Sequence, residues 1–371
     1  MVTRFERCKT GKVTSKFVFI LMLTLIGCAA YKTNAAVCFL LHRTHLYGII
    51  YAIFGITLFL VMTGAKRHSG KYKKTLCFAS CFLIYYLLLI FVWSACSAVM
   101  RFSNFVKAVG VLLAFGLSGI TVLYGYLHAK TIKHPTYEVH LKETSRRYRV
   151  ALVSDIHLGL FIGAKHIKRM VSVINSLHPD IVVIAGDIFD VDNYILDCKK
   201  DLKDVSDILC KIESSEGVFA VLGNHDPNIE TDNLLEFFKS SNIRLLHNSV
   251  EELQKINLVG RSDEANNIRV PLSNLMTYCN PSKPTIVLDH NPQGITEAAE
   301  NNAELILCGH THRGQFFPLT AWTKLTYKNH YFYGYKLFNK THSIISSGIG
   351  FFPLPIRIGT NSEVVNVEIC I

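Results

Sequence analysis

The stretch Ile181-Val-Val-Ile-Ala-Gly-Asp-Ile-Phe-Asp190 decides how the chain is read. Four apolar β-branched residues in a row predict a strand buried on both faces. Gly186 ends that run and leaves Asp187 at its carboxyl end, where one carboxylate can offer an oxygen to each of two cations. A strand ending in Gly-Asp is often only a turn, and Asp190 alone is most often a helix cap. The stretch gains weight from what surrounds it.

Four other short motifs follow apolar runs in the same manner. Ser154-Asp155-Ile156-His157 follows Val150–Val153, and Gly223-Asn224-His225-Asp226 follows Val218–Leu222. Asp289-His290-Asn291-Pro292 follows Thr285–Leu288, and Gly309-His310-Thr311-His312 follows Glu304–Cys308. Layered α/β folds place ligand sites just past the carboxyl ends of their strands. In Asp155-x-His157 and His310-x-His312, an i, i+2 spacing in extended chain puts both side chains on one side. A single histidine is ordinarily a satisfied core or surface residue, and Asn224 alone is ordinarily a turn residue. Five strand ends, each tipped with Asp, Asn or His, are not explained that way. Mixed carboxylate, imidazole and amide donors suit a borderline divalent ion, Mn²⁺, Fe²⁺ or Zn²⁺, better than Mg²⁺ or Ca²⁺. Two such ions about 3.5–4 Å apart could share Asp187 and a hydroxide.

Between these motifs, short apolar runs alternate with amphipathic stretches at 164–177, 201–212 and 231–240, a β-α alternation. The later runs at 256–259, 285–288, 304–308, 343–346 and 364–368 are richer in strand. The expected class is α/β, a two-sheet sandwich flanked by helices.

Taken in this order, DxH, GDxxD, GNHD, a lone late histidine and GHxH resemble the calcineurin-like metallophosphoesterase superfamily over about residues 149–371. The resemblance implies an α-β-β-α sandwich. It implies one metal on Asp155, His157, Asp187 and His312, and a second on Asp187, Asn224, His290 and His310. It also implies His225 as the acid/base histidine, with Asp226 orienting and charging its imidazole. Metal-bound hydroxide would attack a phosphodiester, pyrophosphate or phosphomonoester. Arg313, after GHTH, departs from close relatives, which often carry a small residue there; it either meets a substrate phosphate through its planar fork or closes a loop.

The first third of the chain has a different composition. Residues 1–130 carry 15 Lys/Arg against one acid, whereas 131–371 carry 24 Lys/Arg against 27 Asp/Glu. The excess over the whole chain, +11, therefore lies around apolar segments and reports topology rather than nucleic-acid binding. Those segments are about 17–41, 46–65, 76–100 and 108–129, and a helix needs roughly 20 apolar residues to cross the hydrocarbon core. The first is interrupted by Lys32 and Asn34, and with its basic flank it also has the form of a signal peptide. The basic residues between segments alternate many, few, many, few, many. That is the pattern for four spans with both ends cytoplasmic. Residues 1–129 are thus expected to form a four-helix transmembrane region, 130–148 a polar linker, and 149–371 the catalytic domain at the cytoplasmic face. Asn339-Lys340-Thr341 is a glycosylation sequon that would mark a lumenal domain instead. The 11 cysteines include no CxxC pair and suit a reducing compartment.

The membrane prefix, and the tail Ser346-Ser-Gly-Ile-Gly350 with Leu354-Pro-Ile-Arg357, are similar to the membrane-anchored phosphodiesterase branch of the superfamily. Membrane lipids and a lipid-linked phosphoester are then the expected partners. Aromatic and basic residues over 321–340 (Trp322, Lys324, Tyr327, Lys328, Tyr331 and onward) suit an anionic membrane interface, or equally a hairpin packed on the sandwich. Two other classes compete. A metal-binding scaffold or sensor would have no use for His225 as an acid. A transporter or channel is disfavoured because the four apolar segments hold no Asp or Glu.

Overall fold

The computed structural model describes residues 26–40, 70–141, 147–190, 194–227, 232–263, 269–327 and 332–371. The chain divides into two compact units, Met1–Tyr124 and Gly125–Ile371.

In the first unit, residues 26–40 are helical, and two long helices follow, Gly70–Val99 and Asn104–Ala129, the latter ending in the second unit. Among the described residues these two are long and apolar enough to be candidate membrane spans, with mean hydropathies of 2.4 and 2.0. The four-helix expectation is thereby reduced. Of the segment 17–41 only residues 26–40 are described, and they are helical; the segment 46–65 lies outside the described residues. Small side chains let the helices approach. Ala29, Ala36, Ala108 and Ala114 pack with Tyr86 and Ile90 in one buried cluster.

The second unit is the expected two-sheet sandwich. Its strands are β1 (Ile132–Lys133), β2 (Thr136–His140), β3 (Arg147–Val153), β4 (Ile181–Ala185), β5 (Gly217–Val221), β6 (Ile243–Leu245) and β7 (Ser249–Glu252). They continue with β8 (Asn257–Gly260), β9 (Thr285–Leu288), β10 (Leu305–Cys308), β11 (Gly334–Phe338), β12 (Thr341–Ile345), β13 (Ser362–Glu363) and β14 (Val365–Cys370). One six-stranded sheet has the order β2-β14-β3-β4-β5-β6, the other β11-β12-β10-β9-β8-β7, and β1 pairs with β13.

Alternation along each strand distributes the core. Val150 and Leu152 of β3 point between the sheets with Ile181 and Val183 of β4, where they meet Leu258, Ile286, Leu288, Leu305, Leu307 and Ile344. Ala151, Val153, Val182 and Ile184 point the other way, onto helices Ala164–Ser176, Lys199–Leu209 and Asp232–Ser240. Helices Leu272–Met276 and Ile295–Glu300 cover the far face of the second sheet through Leu272, Leu275, Ile295 and Ala298. Strands β3, β4, β5 and β6 run parallel, as do β8, β9, β10 and β12. The carboxyl ends of each set therefore share one edge, which is where all five motifs fall.

Residues 130–148 are not a simple linker. β2 pairs in parallel with the last strand, β14, through Thr136–His140 against Asn366–Cys370, and Val139 is fully buried. One buried side chain amid polar neighbours gave no pattern to read, and the partner strand lies at the far end of the sequence.

Candidate metal centre

Three of the five motifs, those after β3, β4 and β10, turn away from their strands in a left-handed backbone conformation. Asp155, His157, Asp187, His310 and His312 all have φ between +49° and +74°. For residues with a Cβ this costs about 1–2 kcal/mol each, and such outliers cluster where a structure holds side chains for function. Backbone bonds lock the tips together. Asp155 N–H donates to Gly186 O (3.0 Å) and His157 N–H to Asp187 O (3.0 Å).

The glycines of the motifs make room for the ligands of their neighbours. A Cβ on Gly223 would lie 2.2 Å from Asp187 Oδ1, and one on Gly309 would lie 2.5 Å from Asp155 Oδ2. GNHD and GHxH therefore need glycine because another motif's carboxylate passes at contact distance.

All seven predicted ligands converge. Asp155, His157 and His312 form one group and Asp155, Asp187 and His290 another, each with its donor atoms within 4.8 Å of one another. His157 Nε2 lies 3.0 Å from His312 Nε2 and 3.7 Å from Asp187 Oδ2. His312 Nε2 lies 3.5 Å from Asp155 Oδ1. On the other side, His290 Nε2 lies 3.3 Å from Asp187 Oδ2 and 3.1 Å from Asn224 Oδ1. His310 turns Nδ1 inward, 2.9 Å from Asn224 Oδ1 and 3.2 Å from His290 Nε2. Asp187 stands between the two groups.

The electrostatics suit cation binding. Burial keeps the imidazoles neutral, with lone pairs available. His157 is pushed down to about 3 and His310 to about 4, and His312 is pushed well below its ordinary value. Burial also pushes Asp155 up to about 6. Burial acts on Asp187 in the same sense, but the His290 ring beside it outweighs burial and holds the carboxyl below its ordinary range. Burial opposes charge on His290 as well, yet the Asp187 carboxylate holds it well above its usual value. The converging neutral nitrogens, the carboxylate set between them and the amide oxygen fit a pair of borderline divalent ions.

His225 lies at the rim. Its side chain is 27% exposed, its Nε2 is 4.0 Å from Asp187 Oδ2, and its backbone N–H donates to Asp187 Oδ1 at 2.9 Å. Asp226 has a different job from the expected one. Its carboxylate accepts from the backbone N–H groups of Phe189 and Gly223, both at 2.8 Å. It clamps the GDxxD and GNHD tips together instead of orienting the His225 imidazole. Arg313 lies over the Tyr333 ring, 4.4 Å from its centroid, which favours the loop-closing role.

Three further contributors come from outside the five motifs. Phe352 stacks on His157 (5.0 Å between centroids, 17° between planes) and tilts against His225 at 4.8 Å. The buried Arg357 guanidinium donates to the carbonyls of Ser347, Gly348 and Gly350, and that loop seats Asp155 from behind, with Gly350 N–H donating to Asp155 O at 2.8 Å. Glu363 accepts from Ser347 N–H (2.8 Å) and Tyr333 Oη–H (2.9 Å). The glycine-rich run after β12 was the available signal, because it is a sixth strand end at the same edge.

Comparison with known proteins agrees with this geometry. Residues 148–314 match the family model described as calcineurin-like phosphoesterase. A zebrafish protein named "Transmembrane protein with metallophosphoesterase domain" is 31% identical over 277 residues, 69% of this chain and 62% of its own length. The chain thus spans less than two thirds of that relative. An uncharacterized metallophosphoesterase of Helicobacter pylori is 30% identical over 272 residues, 72% of this chain and 70% of its own. Phosphodiesterase YaeI of Escherichia coli is 25% identical over 263 residues, 66% of this chain and 92% of its own. With its motifs gathered at one edge of the sandwich and its sequence aligned over most of the bacterial relative, the chain belongs to the calcineurin-like phosphoesterase family.

Proposed function

We propose that the chain is a metal-dependent phosphoester hydrolase held at a membrane. One divalent ion would be bound by Asp155, His157, Asp187 and His312, and a second by Asp187, Asn224, His290 and His310. The observation that carries this reading is the position of Asp187 between two converging donor groups. When bound, such a pair of ions supplies hydroxide near neutral pH and neutralises charge on a phosphoryl group.

The chain's own residues supply the rest. Asp187 Oδ1 accepts from the His225 N–H, which leaves Oδ2 facing both donor groups, 3.7 Å from His157 Nε2 and 3.3 Å from His290 Nε2. His225 is more open to solvent than His157 or His290, so it can hold a proton at Nε2 and deliver it to a leaving oxygen, help worth roughly 10²–10⁴-fold. Phe352 stacks on the ring face of His157 and would keep bulk water off that face.

The substrate class is a phosphodiester, pyrophosphate or phosphomonoester. The candidate spans favour a lipid-linked one, with membrane lipids as partners. The charge pattern around the apolar segments favours a multi-pass arrangement with the catalytic unit on the cytoplasmic side.

The test uses the full chain in nanodiscs beside Asp187→Asn. Metal content and Mn²⁺-dependent hydrolysis of an aryl phosphodiester and an aryl phosphomonoester would be recorded. The parent should hold two ions and turn over. The variant should lose both ions and at least about 10²–10³-fold in rate. Two ions retained after the change would sink the bridging role, and a folded parent that binds no metal would return the scaffold reading.

A further inference from the structure

Helix Leu319–Thr326 has its polarity reversed. None of its residues is buried, and its large apolar side chains point outward: Leu319 is 45% exposed, Trp322 70% and Leu325 77%. At helical spacing these three fall in one stripe about 120° wide. Phe317, just before the helix, adds to it at 49%. The side facing the domain is instead made of Thr320 and Thr323, both partly buried. The helix start is pressed on the GHxH turn, where a Cβ on Gly314 would lie 2.6 Å from Thr320 Cα. Scattered exposed apolar residues need no explanation, but a contiguous stripe with a polar inner side marks a surface that something covers.

Two contacts indicate what covers it. The last turn of the candidate span Asn104–Ala129 lies against Ile358. A Cβ on Gly125 would be 2.9 Å from Ile358 Cδ1, and Arg357 N–H donates to Gly125 O at 3.0 Å. The carbonyl of Ile358 in turn accepts from Phe317 N–H at 3.0 Å. One residue thus separates the end of an apolar span from the start of the reversed helix. At the helix's other end, the Tyr327 ring lies 6.1 Å from that of His310. The helix therefore runs from Ile358, which also packs against Gly125, to the rim of the candidate metal centre.

Other aromatics of 321–340 are occupied within the domain. Tyr333 bonds Glu363, Tyr335 stacks on Tyr137, and Phe338 packs on the core. The membrane-facing set is thus narrower than composition indicates. Lys324 is exposed away from the stripe, as in helices that lie in a lipid interface.

We propose that the face formed by Phe317, Leu319, Trp322 and Leu325 rests in the interfacial layer of the same membrane that the candidate spans enter. A phosphoester in a lipid headgroup would then meet the metal centre without leaving the bilayer. The seating is independent of the hydrolase reading; the delivery of a headgroup rests on it.

The chain has two tryptophans, Trp93 within a candidate span and Trp322 on the stripe, so fluorescence can separate them. The full chain carrying Trp93→Phe would be placed in nanodiscs of phosphatidylcholine and phosphatidylglycerol, with and without brominated acyl chains. Trp322 emission should fall with brominated lipid and be protected from iodide. The reciprocal Trp322→Phe protein, reporting on Trp93, verifies that the brominated lipid surrounds the chain. Should Trp93→Phe not fold, the difference between the parent and Trp322→Phe yields the same signal. Quenching of Trp322 by iodide without quenching by bromine overturns the proposal, because the face would then be in water. Quenching by neither also overturns it, because protein would then cover the face. A full-chain variant with Leu319→Asp and Leu325→Asp should regain iodide quenching while keeping its metal content. These readouts need no turnover, so their failure is distinct from failure of the catalytic reading.

Discussion

The two halves of the candidate metal centre are oriented by different forces. In the half made of Asp155, His157 and His312, the imidazoles are held by contact. His157 is stacked on Phe352, 5.0 Å between centroids, and meets His312 through its Nε2 edge at 3.0 Å. The Nδ1 atoms of His157 and His312 are buried with no hydrogen-bond partner. Behind Asp155, the close approach of Gly309 and Gly348 leaves no room for another carbon. In the half made of Asn224, His290 and His310, hydrogen bonds do more of the work. His290 Nδ1–H donates to Ala185 O at 2.8 Å, which aims Nε2 inward, and Asn224 lies exposed at the rim. Metal ligands usually have their second ring nitrogen fixed by an acceptor, and only the second half follows that habit. The first half should therefore respond to changes of volume and the second to loss of donors or acceptors, with Asp187 common to both.

The largest effect tests whether anything besides the two halves is needed. His225→Ala removes a rim side chain and leaves every predicted ligand in place. Turnover should fall roughly 10²–10⁴-fold while two ions remain by elemental analysis. Loss of both ions would make His225 part of the halves themselves. Next, Gly309→Ala adds a single carbon against Asp155. It should weaken the first ion about 10–100-fold, the range found when a ligand's support is disturbed, and leave the second in place. Equal loss of both ions would erase the contrast between packed and hydrogen-bonded halves.

The smallest effect concerns pH. His166 lies behind the first half, with Nε2 3.2 Å from Ile349 O. Burial pushes it from an ordinary 6.5 down to about 4. Below pH 6.5 the unfolded chain takes up a proton that the folded chain refuses. This contribution to stability is therefore complete above pH 6.5 and is lost as the pH falls toward 4, on the order of 3 kcal/mol in all. The urea midpoint of the parent should fall over that window more steeply than that of His166→Gln. Parallel profiles would remove His166 from the support of the first half.

Much of the site was legible because its information is local. Each ligand sits within a few residues of a strand end, and β-branched runs such as Ile181–Ile184 disclose those ends without any knowledge of their neighbours. Spacing flagged Asp155 with His157 and His310 with His312, but these residues are left-handed rather than extended, and His310 and His312 fall in different halves. Helices Ala164–Ser176 and Lys199–Leu209 were legible for the same reason, since their apolar period is carried within the helix. Where the reading fell short, the deciding partner is far away in sequence. β2 is a strand because β14 pairs with it. Asp226 is a clamp because Phe189 N–H lies across from it. Tyr333, Tyr335 and Phe338 fitted either an interface or a hairpin packed on the sandwich, and partners outside 321–340 decide for the hairpin.

The sequence by itself determined the α/β class, the family, the seven candidate ligand positions and their order, and the confinement of basic excess to the apolar first third. Those properties follow from side-chain chemistry and short-range period. Only the tertiary structure decided which ligands share a half, that Asp187 lies between them, and that Arg357 and Phe352 brace the first half. It alone also turned the apolar stripe of Leu319–Thr326 outward. Convergence and exposure depend on how strands distant in the chain are brought to one edge, and no local pattern carries that distance.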